Sequence, residues 1–181
     1  MQLQQVNDLD DYPLALIALL TDSVEGGASV GFVPPLARDE IAHYWRGVAA
    51  DLRAGGRALL LAQVEDELAG AVQLAWCGKA NGRHRAEVEK LLVHRAFRRR
   101  GVGERLMRAA EQLARQHQRS LLVLDTRTGD TASRLYRRLG WQEAGCIPDY
   151  VSNAAGEMES TTLFYKRLAP ADANGRGPRR G

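Results

Sequence analysis

The chain has 181 residues, of which 45% are hydrophobic and 26% charged, and a net charge of +3. That length fits one domain with a real core, and the composition is that of a soluble globular protein. The mild positive charge allows an anionic ligand but gives no case for nucleic acid. Two cysteines, Cys77 and Cys146, make no disulfide framework and point to a reducing, cytosolic setting.

The segment from Met1 to Tyr12 carries no basic lead before the short apolar run Leu14 to Leu20, which argues against a signal peptide and a membrane span. Leu9 to Leu20 is expected to be a first helix, with Asp10 and Asp11 in its N-terminal turn. Gly26 to Gly31 is a glycine-rich loop. Arg38 to Ala54 is a second helix, with Ile41, Tyr44, Trp45, Val48 and Leu52 on one face, stopped by Gly55 and Gly56. Ala58 to Val64 and Leu68 to Trp76 are strands joined by a turn over Glu65, Asp66 and Glu67. A polar loop, Gly78 to His84, leads to a third strand of the same antiparallel meander, Arg85 to Val93.

An amphipathic helix follows, with Leu106, Met107, Ala110, Leu113 and Ala114 at helical spacing. Ser120 to Thr126 is a buried strand, and the strand–helix–strand order suggests parallel pairing through a crossover. Thr131 to Leu139 is a short helix closed by Gly140, and Trp141 to Ile147 and Ser160 to Arg167 are the last strands. Residues 1–168 are expected to form the domain. Ala169 to Gly181, rich in Gly, Pro, Ala and Arg, is expected to be a disordered tail. The order is α/β with a mixed sheet.

The strongest chemical signal lies between Glu87 and Gln118. A strand runs into Arg98-Arg99-Arg100-Gly101-Val102-Gly103, and a helix starts at once. Free backbone N–H groups at a helix start, and the helix dipole, make an anion site for which phosphate is the usual occupant. A dinucleotide site is the rival, with Gly101 and Gly103 opening the helix and Asp125 ending the next strand. Against it, Leu106 stands where the third glycine of that fingerprint belongs, and three arginines are more charge than such a turn needs. They suit a ligand with more phosphate. Without the glycines beside them, the arginines would read as a solvated basic face.

The Arg-x-x-Gly-x-Gly pattern resembles the pyrophosphate loop of the GNAT superfamily of N-acetyltransferases. Leu91-Leu92-Val93 before the loop and Leu135-Tyr136-Arg137-Arg138-Leu139-Gly140-Trp141 after it add to the resemblance, which covers Leu59 to Arg167. Gly26 to Phe32, Asn81-Gly82, Arg85 to Val88 and Leu124-Asp125-Thr126 are similar to the tabtoxin-resistance acetyltransferases of plant-pathogenic bacteria. The resemblance implies the GNAT fold, in which a mixed sheet flanked by helices has two parallel strands splayed apart for the pantetheine arm. It implies acetyl-CoA as cosubstrate, no metal, and transfer of acetyl to the primary amine of a small, amino-acid-like molecule. Neither a membrane nor nucleic acid is implied as a partner, and a homodimer stays open. The implied cofactor-binding residues are Leu91, Leu92, Val93, Arg98, Arg99, Arg100, Gly101, Val102, Gly103, Glu104 and Asp130. The family often opens the late helix with asparagine. Here Asp130 stands instead, and the segment before Tyr136 is one residue shorter.

An alkylammonium has a pKa of roughly 10, so an acetyl transfer to an amine needs a base, and a carboxylate serves. Glu87, Glu89 and Asp125 are the candidates. Strict strand alternation would put Glu87 and Glu89 on one face with Leu91 and Val93. An ion pair of either glutamate with Lys90 or Arg85 is the bland alternative. The leaving thiolate needs a proton, and Tyr136 matches the family's thiol-protonating tyrosine; the bland alternative is an aromatic packing residue. Gly26 to Phe32 and Gly78 to Arg85 are expected on the acceptor side, with Arg83 or Arg85 for an acceptor carboxylate. A peptide N-acetyltransferase and a non-catalytic acyl-CoA-binding module are the competing functions.

Overall fold

The computed structural model describes residues 1–169. A seven-stranded sheet has the order β1-β2-β3-β4-β5-β7-β6. In chain order the elements are β1 (Gln2–Val6), α1 (Pro13–Glu25), α2 (Arg38–Arg53), β2 (Arg57–Val64), β3 (Glu67–Trp76), β4 (Arg85–Val93), α3 (Val102–Gln116), β5 (Leu121–Arg127), α4 (Thr131–Arg138), β6 (Gln142–Ser152) and β7 (Met158–Arg167). All pairings are antiparallel except β4 with β5. This is the mixed α/β sheet expected of the GNAT fold. The tail beyond residue 169 lies outside the described residues.

Each face of the sheet buries its own core. On one face Leu60, Val72, Leu74, Ala86 and Val88 meet Leu106, Met107, Ala110 and Ala114 of α3. On the other, Leu59, Leu61 and Ala71 meet Leu16, Leu19 and Leu20 of α1 and Ile41, Trp45 and Val48 of α2. The period-two alternation of β2, even residues to one core and odd residues to the other, is what lets one strand serve both. Between β2 and β3 the turn residues Glu65 and Asp66 both have positive φ, 53° and 64°. That pair of left-handed residues is the type I′ geometry whose twist matches a hairpin.

Three expectations are corrected. The first helix begins at Pro13, not Leu9, because proline fixes φ for the first helical turn; Asp10 and Asp11 fall before it. Gln2–Val6 forms an edge strand on β2, with only Val6 buried, so its polar pattern gave no strand signal. The strand after Trp141 runs on to Ser152, past Pro148. An edge strand tolerates proline at an irregularity, and the register of β6 shifts between Ile147 and Val151.

One buried ion pair ties α3 to β7. Lys166 Nζ donates to both Glu111 carboxylate oxygens at 2.7 Å and to the Leu139 carbonyl at 2.6 Å, and Trp141 Nε1 donates to Glu111 at 3.0 Å. Removing one partner leaves an uncompensated buried charge. Lys166→Met is therefore expected to lower unfolding free energy by about 3–5 kcal/mol in urea denaturation. The double variant Lys166→Met, Glu111→Leu should recover much of the loss.

Candidate functional site

β4 and β5 pair in parallel at three positions only, Arg85 with Leu121, Ala86 with Leu122 and Glu87 with Val123. Beyond Glu87 the two strands part, and a cleft of about 1140 Å³ opens between them. Its walls come from β4, β5, the start of α3, α4 and the Gly26–Gly31 loop.

A β-bulge shapes the β4 wall. Two residues of β4, Lys90 and Leu91, oppose the single residue Val72 of β3, and Lys90 has φ 50°. The extra residue inverts the alternation. Ala86 and Val88 face the α3 core, but past the bulge that face receives Leu91 and Val93, and Leu92 turns into the α1–α2 core. Two residues from Val72, opposite Val93, Gly70 lets the strands approach: a Cβ there would sit 2.6 Å from the Leu92 carbonyl oxygen.

At one end of the cleft stands the N-terminus of α3. Gly101 precedes it with φ 79°, and no side chain caps it. The first helical bond runs from Arg105 N–H to the Gly101 carbonyl at 3.1 Å, so the amides of Val102, Gly103 and Glu104 come before the ladder starts. Arg98 and Arg99 line this end. The Arg98 guanidinium is held by the Val93 carbonyl at 3.3 Å. The segment before the loop is anchored to α1. Asp22 accepts from the Arg95 backbone N–H at 2.8 Å and its Nε at 2.7 Å. Burial would raise the Asp22 carboxyl, but the two Arg95 hydrogen bonds outweigh it and hold it below the usual range. Glu104 pairs with Arg108 at 3.0 Å and Arg138 at 3.4 Å.

At the point where the strands part, Glu87 and Asp125 face the cleft from β4 and β5. Water reaches Glu87, yet the surrounding protein desolvates its carboxyl, and with the negative charges of Glu89 and Asp125 this raises its pKa above the usual range. Asp125 accepts from Thr161 Oγ1 at 2.8 Å. Glu89 is engaged by Arg57 Nη1, which also donates to Gln73 Oε1 at 2.7 Å, and Gln73 Nε2 donates to Tyr44 Oη at 2.8 Å. On the other wall Tyr136 packs against Phe164 and Trp141 at ring-centroid distances of 5.7 Å and 6.1 Å. Burial, with the charges of Asp130 and Asp125, pushes its hydroxyl pKa far up, so it stays protonated.

Several placements depart from the sequence expectations. Glu87 and Glu89 do not share a face with Leu91 and Val93, because of the bulge. Leu92 is buried away from the cleft for the same reason. Arg100 turns outward, 3.5 Å from Glu65 and over the Phe97 ring. Asp130 lines the cleft but its carboxylate caps α4, accepting from Ala132 N–H at 3.4 Å. The Gly78–His84 loop and Arg85 lie at the closed end of β4, where the His84 carbonyl bonds to Ser120, so neither reaches the cleft. Leu91, Val93, Arg98, Arg99, Gly101, Val102, Gly103 and Glu104 line it. Sequence reasoning missed Arg57 and Lys90. Nothing in the local pattern links Arg57 to Glu89, 32 residues away, and alternation would have put Lys90 on the face opposite Glu89.

The acetyltransferase (GNAT) family matches residues 16–141. An uncharacterised N-acetyltransferase of Azospirillum brasilense is 32% identical over 108 residues, which span 59% of this chain and 62% of that protein. A ribosomal-protein-alanine N-acetyltransferase structure from Brucella melitensis superposes with TM-score 0.77 at 23% identity, covering 93% of this chain and all of that one. A structure from Salmonella typhimurium, solved with its cofactor acetyl-CoA, gives TM-score 0.74 at 18% identity, covering 96% and 98% of the two chains. At these identities the structural matches carry the fold.

The electrostatics of Glu87 can be measured directly. Its side-chain carboxyl should titrate above the ordinary glutamate range when followed by carbon-detected NMR. In Glu89→Gln the midpoint should fall, because a negative neighbour is removed and the Arg57 charge is left uncompensated. A midpoint that rises or stays would contradict this account of the cleft.

Proposed function

The chain belongs to the acetyltransferase (GNAT) family, and on that premise we propose that it transfers the acetyl group of acetyl-CoA to the primary amine of a small, amino-acid-like molecule. One observation carries the proposal: β4 and β5 part to open a cleft that Glu87, Asp125 and Tyr136 all line, with a helix start that no side chain caps at its end.

The residues present fit a coenzyme A diphosphate. The amides of Val102 to Glu104 and the side chains of Arg98 and Arg99 would hold it, and Gly101 keeps the turn that aims those amides. When bound, acetyl-CoA supplies an activated thioester carbonyl and a thiolate leaving group. Among the described residues no strand pairs with β4 on the cleft side from Val88 to Val93, which leaves backbone N–H groups there for an acyl oxygen. Glu87 takes the proton from the incoming ammonium, directly or through water; its raised pKa makes it a better base near neutrality than an ordinary glutamate. Asp125 faces the same amine. Glu89 is the lesser candidate, because Arg57 already holds it. Tyr136 gives its proton to the thiolate; burial keeps the hydroxyl protonated and also makes it a weaker acid than an exposed tyrosine.

The small-molecule acceptor rests on the tabtoxin-resistance likeness of Gly26 to Phe32 and on that loop lining the cleft. Thiol release from acetyl-CoA, followed with panels of free amino acids, simple amines and peptides, tests it. Turnover of free amino acids supports the proposal. Faster turnover of peptides moves the acceptor to a protein tail, and no turnover with tight acetyl-CoA binding leaves a binding module.

Two variants test the machinery. Tyr136→Phe should keep acetyl-CoA affinity and lower kcat by about a hundredfold or more. A preserved kcat would return Tyr136 to packing. Gly103→Asp should weaken acetyl-CoA binding in calorimetry, because it sets a carboxylate beside the loop amides. A Cβ there meets Leu135 at 3.4 Å and Val93 at 3.6 Å, so the fold should tolerate it.

A further inference from the structure

We propose that Lys90 forms an anion subsite on the acceptor side of the cleft and binds the carboxylate of the acceptor while the acceptor's amine faces Glu87. The inference rests on the small-molecule reading above and goes beyond it by naming the group that selects the acceptor.

Lys90 is the bulge residue of β4, and it lines the cleft. The bulge points it toward the Gly26–Gly31 loop: its Nζ lies 3.4 Å from where a Cβ on Gly31 would stand. The ammonium also sits over the Tyr44 ring, 5.6 Å from its centroid. Among the described residues it makes no ion pair and donates no hydrogen bond. Of the carboxylates close enough to act on it among the described residues, Glu89 is held by Arg57, Asp125 accepts from Thr161, and Glu87 makes no ion pair with it. Burial lowers the Lys90 pKa, and the charges of Glu89, Asp125 and Glu87 offset that only in part. An anion placed there would relieve that cost.

Arg134 and Arg138 line the cleft from α4; the other cations on the acceptor side are occupied or absent from it. Arg127 lies 3.5 Å from Glu159 and donates to the Gly27 carbonyl at 3.3 Å. Arg57 serves Glu89, Gln73 and Asp51. Arg85 points to Cys77 at 3.5 Å, at the closed end of the strand. Arg98 and Arg99 belong to the α3 end. Glu87 and Lys90 stand three positions apart on β4, about 10 Å of extended backbone. Both side chains line the cleft from the same strand, so they can meet one ligand from the same wall. A carboxylate at Lys90 and an amine at Glu87 thus match one amino-acid-like acceptor, with complementary charge at each end.

The test is steady-state kinetics with acetyl-CoA and a panel of free amino acids, each paired with its carboxamide. The enzymes are the wild type, Lys90→Met and Lys90→Arg. The wild type should prefer acids to amides. Lys90→Met should raise KM for the acids by about ten- to a hundredfold, the value of one charge-assisted hydrogen bond, and leave KM for the amides and for acetyl-CoA unchanged. Lys90→Arg should keep most of the preference. Equal use of acid and amide by the wild type overturns the subsite, as does a Met variant that loses both alike, with the acceptor reading left standing. If peptides alone are acetylated, the acceptor reading itself falls and the subsite with it. Should Lys90→Met fail to fold, judged by loss of acetyl-CoA binding, Lys90→Gln takes its place, and the acid-to-amide ratio of the wild type still decides.

Discussion

The site depends on where β4 stops pairing. For three residues β4 and β5 form a parallel ladder, and after Glu87 they separate. A parallel pair held along its whole length would close the sheet and leave no cleft. The separation coincides with the bulge at Lys90, which bends and twists a strand at an inserted residue. Gly70 is the matching concession on β3, since any side chain there would strike the Leu92 backbone. Bulge, glycine and strand separation are one device. It keeps both hydrophobic cores filled while turning the middle of the sheet into a lined opening.

Charge is sorted along that opening. Arginines and uncapped amides gather at the α3 end, and carboxylates gather where the strands part. The two sets do not neutralise each other because separate structural partners intervene. Asp22 anchors Arg95, Glu65 draws Arg100 outward, and Arg57 holds Glu89. The pairing of Glu89 matters most. Its negative charge still raises the Glu87 pKa, and, among the described residues, Glu89 makes its ion pair with Arg57 and none with Lys90. Tyr136 has the opposite character, a hydroxyl kept neutral by burial among Phe164 and Trp141. Glu87, which takes a proton more readily than an ordinary glutamate, thus lines the same cleft as Tyr136, which keeps its own.

α3 links the two ends of this arrangement. Its N-terminus supplies the amides, and its apolar face carries the core under β2, β3 and β4. Through Glu111 it is fixed to Lys166 of β7 and to Trp141, the residue before β6. A helix anchored in this way holds its first turn at a fixed distance from the strand ends.

Local chemistry in the sequence determined most of the elements. The apolar period of α3, the alternation of β2 and the turn residues between β2 and β3 each follow from neighbours in the chain, so they could be read there. So could the arginine–glycine loop, because a helix start with glycines is a local object, and so could the carboxylates and Tyr136 as candidates. Strand alternation also predicted the wrong face for Leu91 and Val93 relative to Glu87 and Glu89. The bulge that reverses it arises from pairing with β3, across a gap in sequence that no local pattern spans. The ion pair of Arg57 with Glu89, the exclusion of the Gly78–His84 loop from the cleft and the isolation of Lys90 are of the same kind. Each is set by which strands meet and where they part, and that is a property of the folded sheet rather than of any stretch of chain.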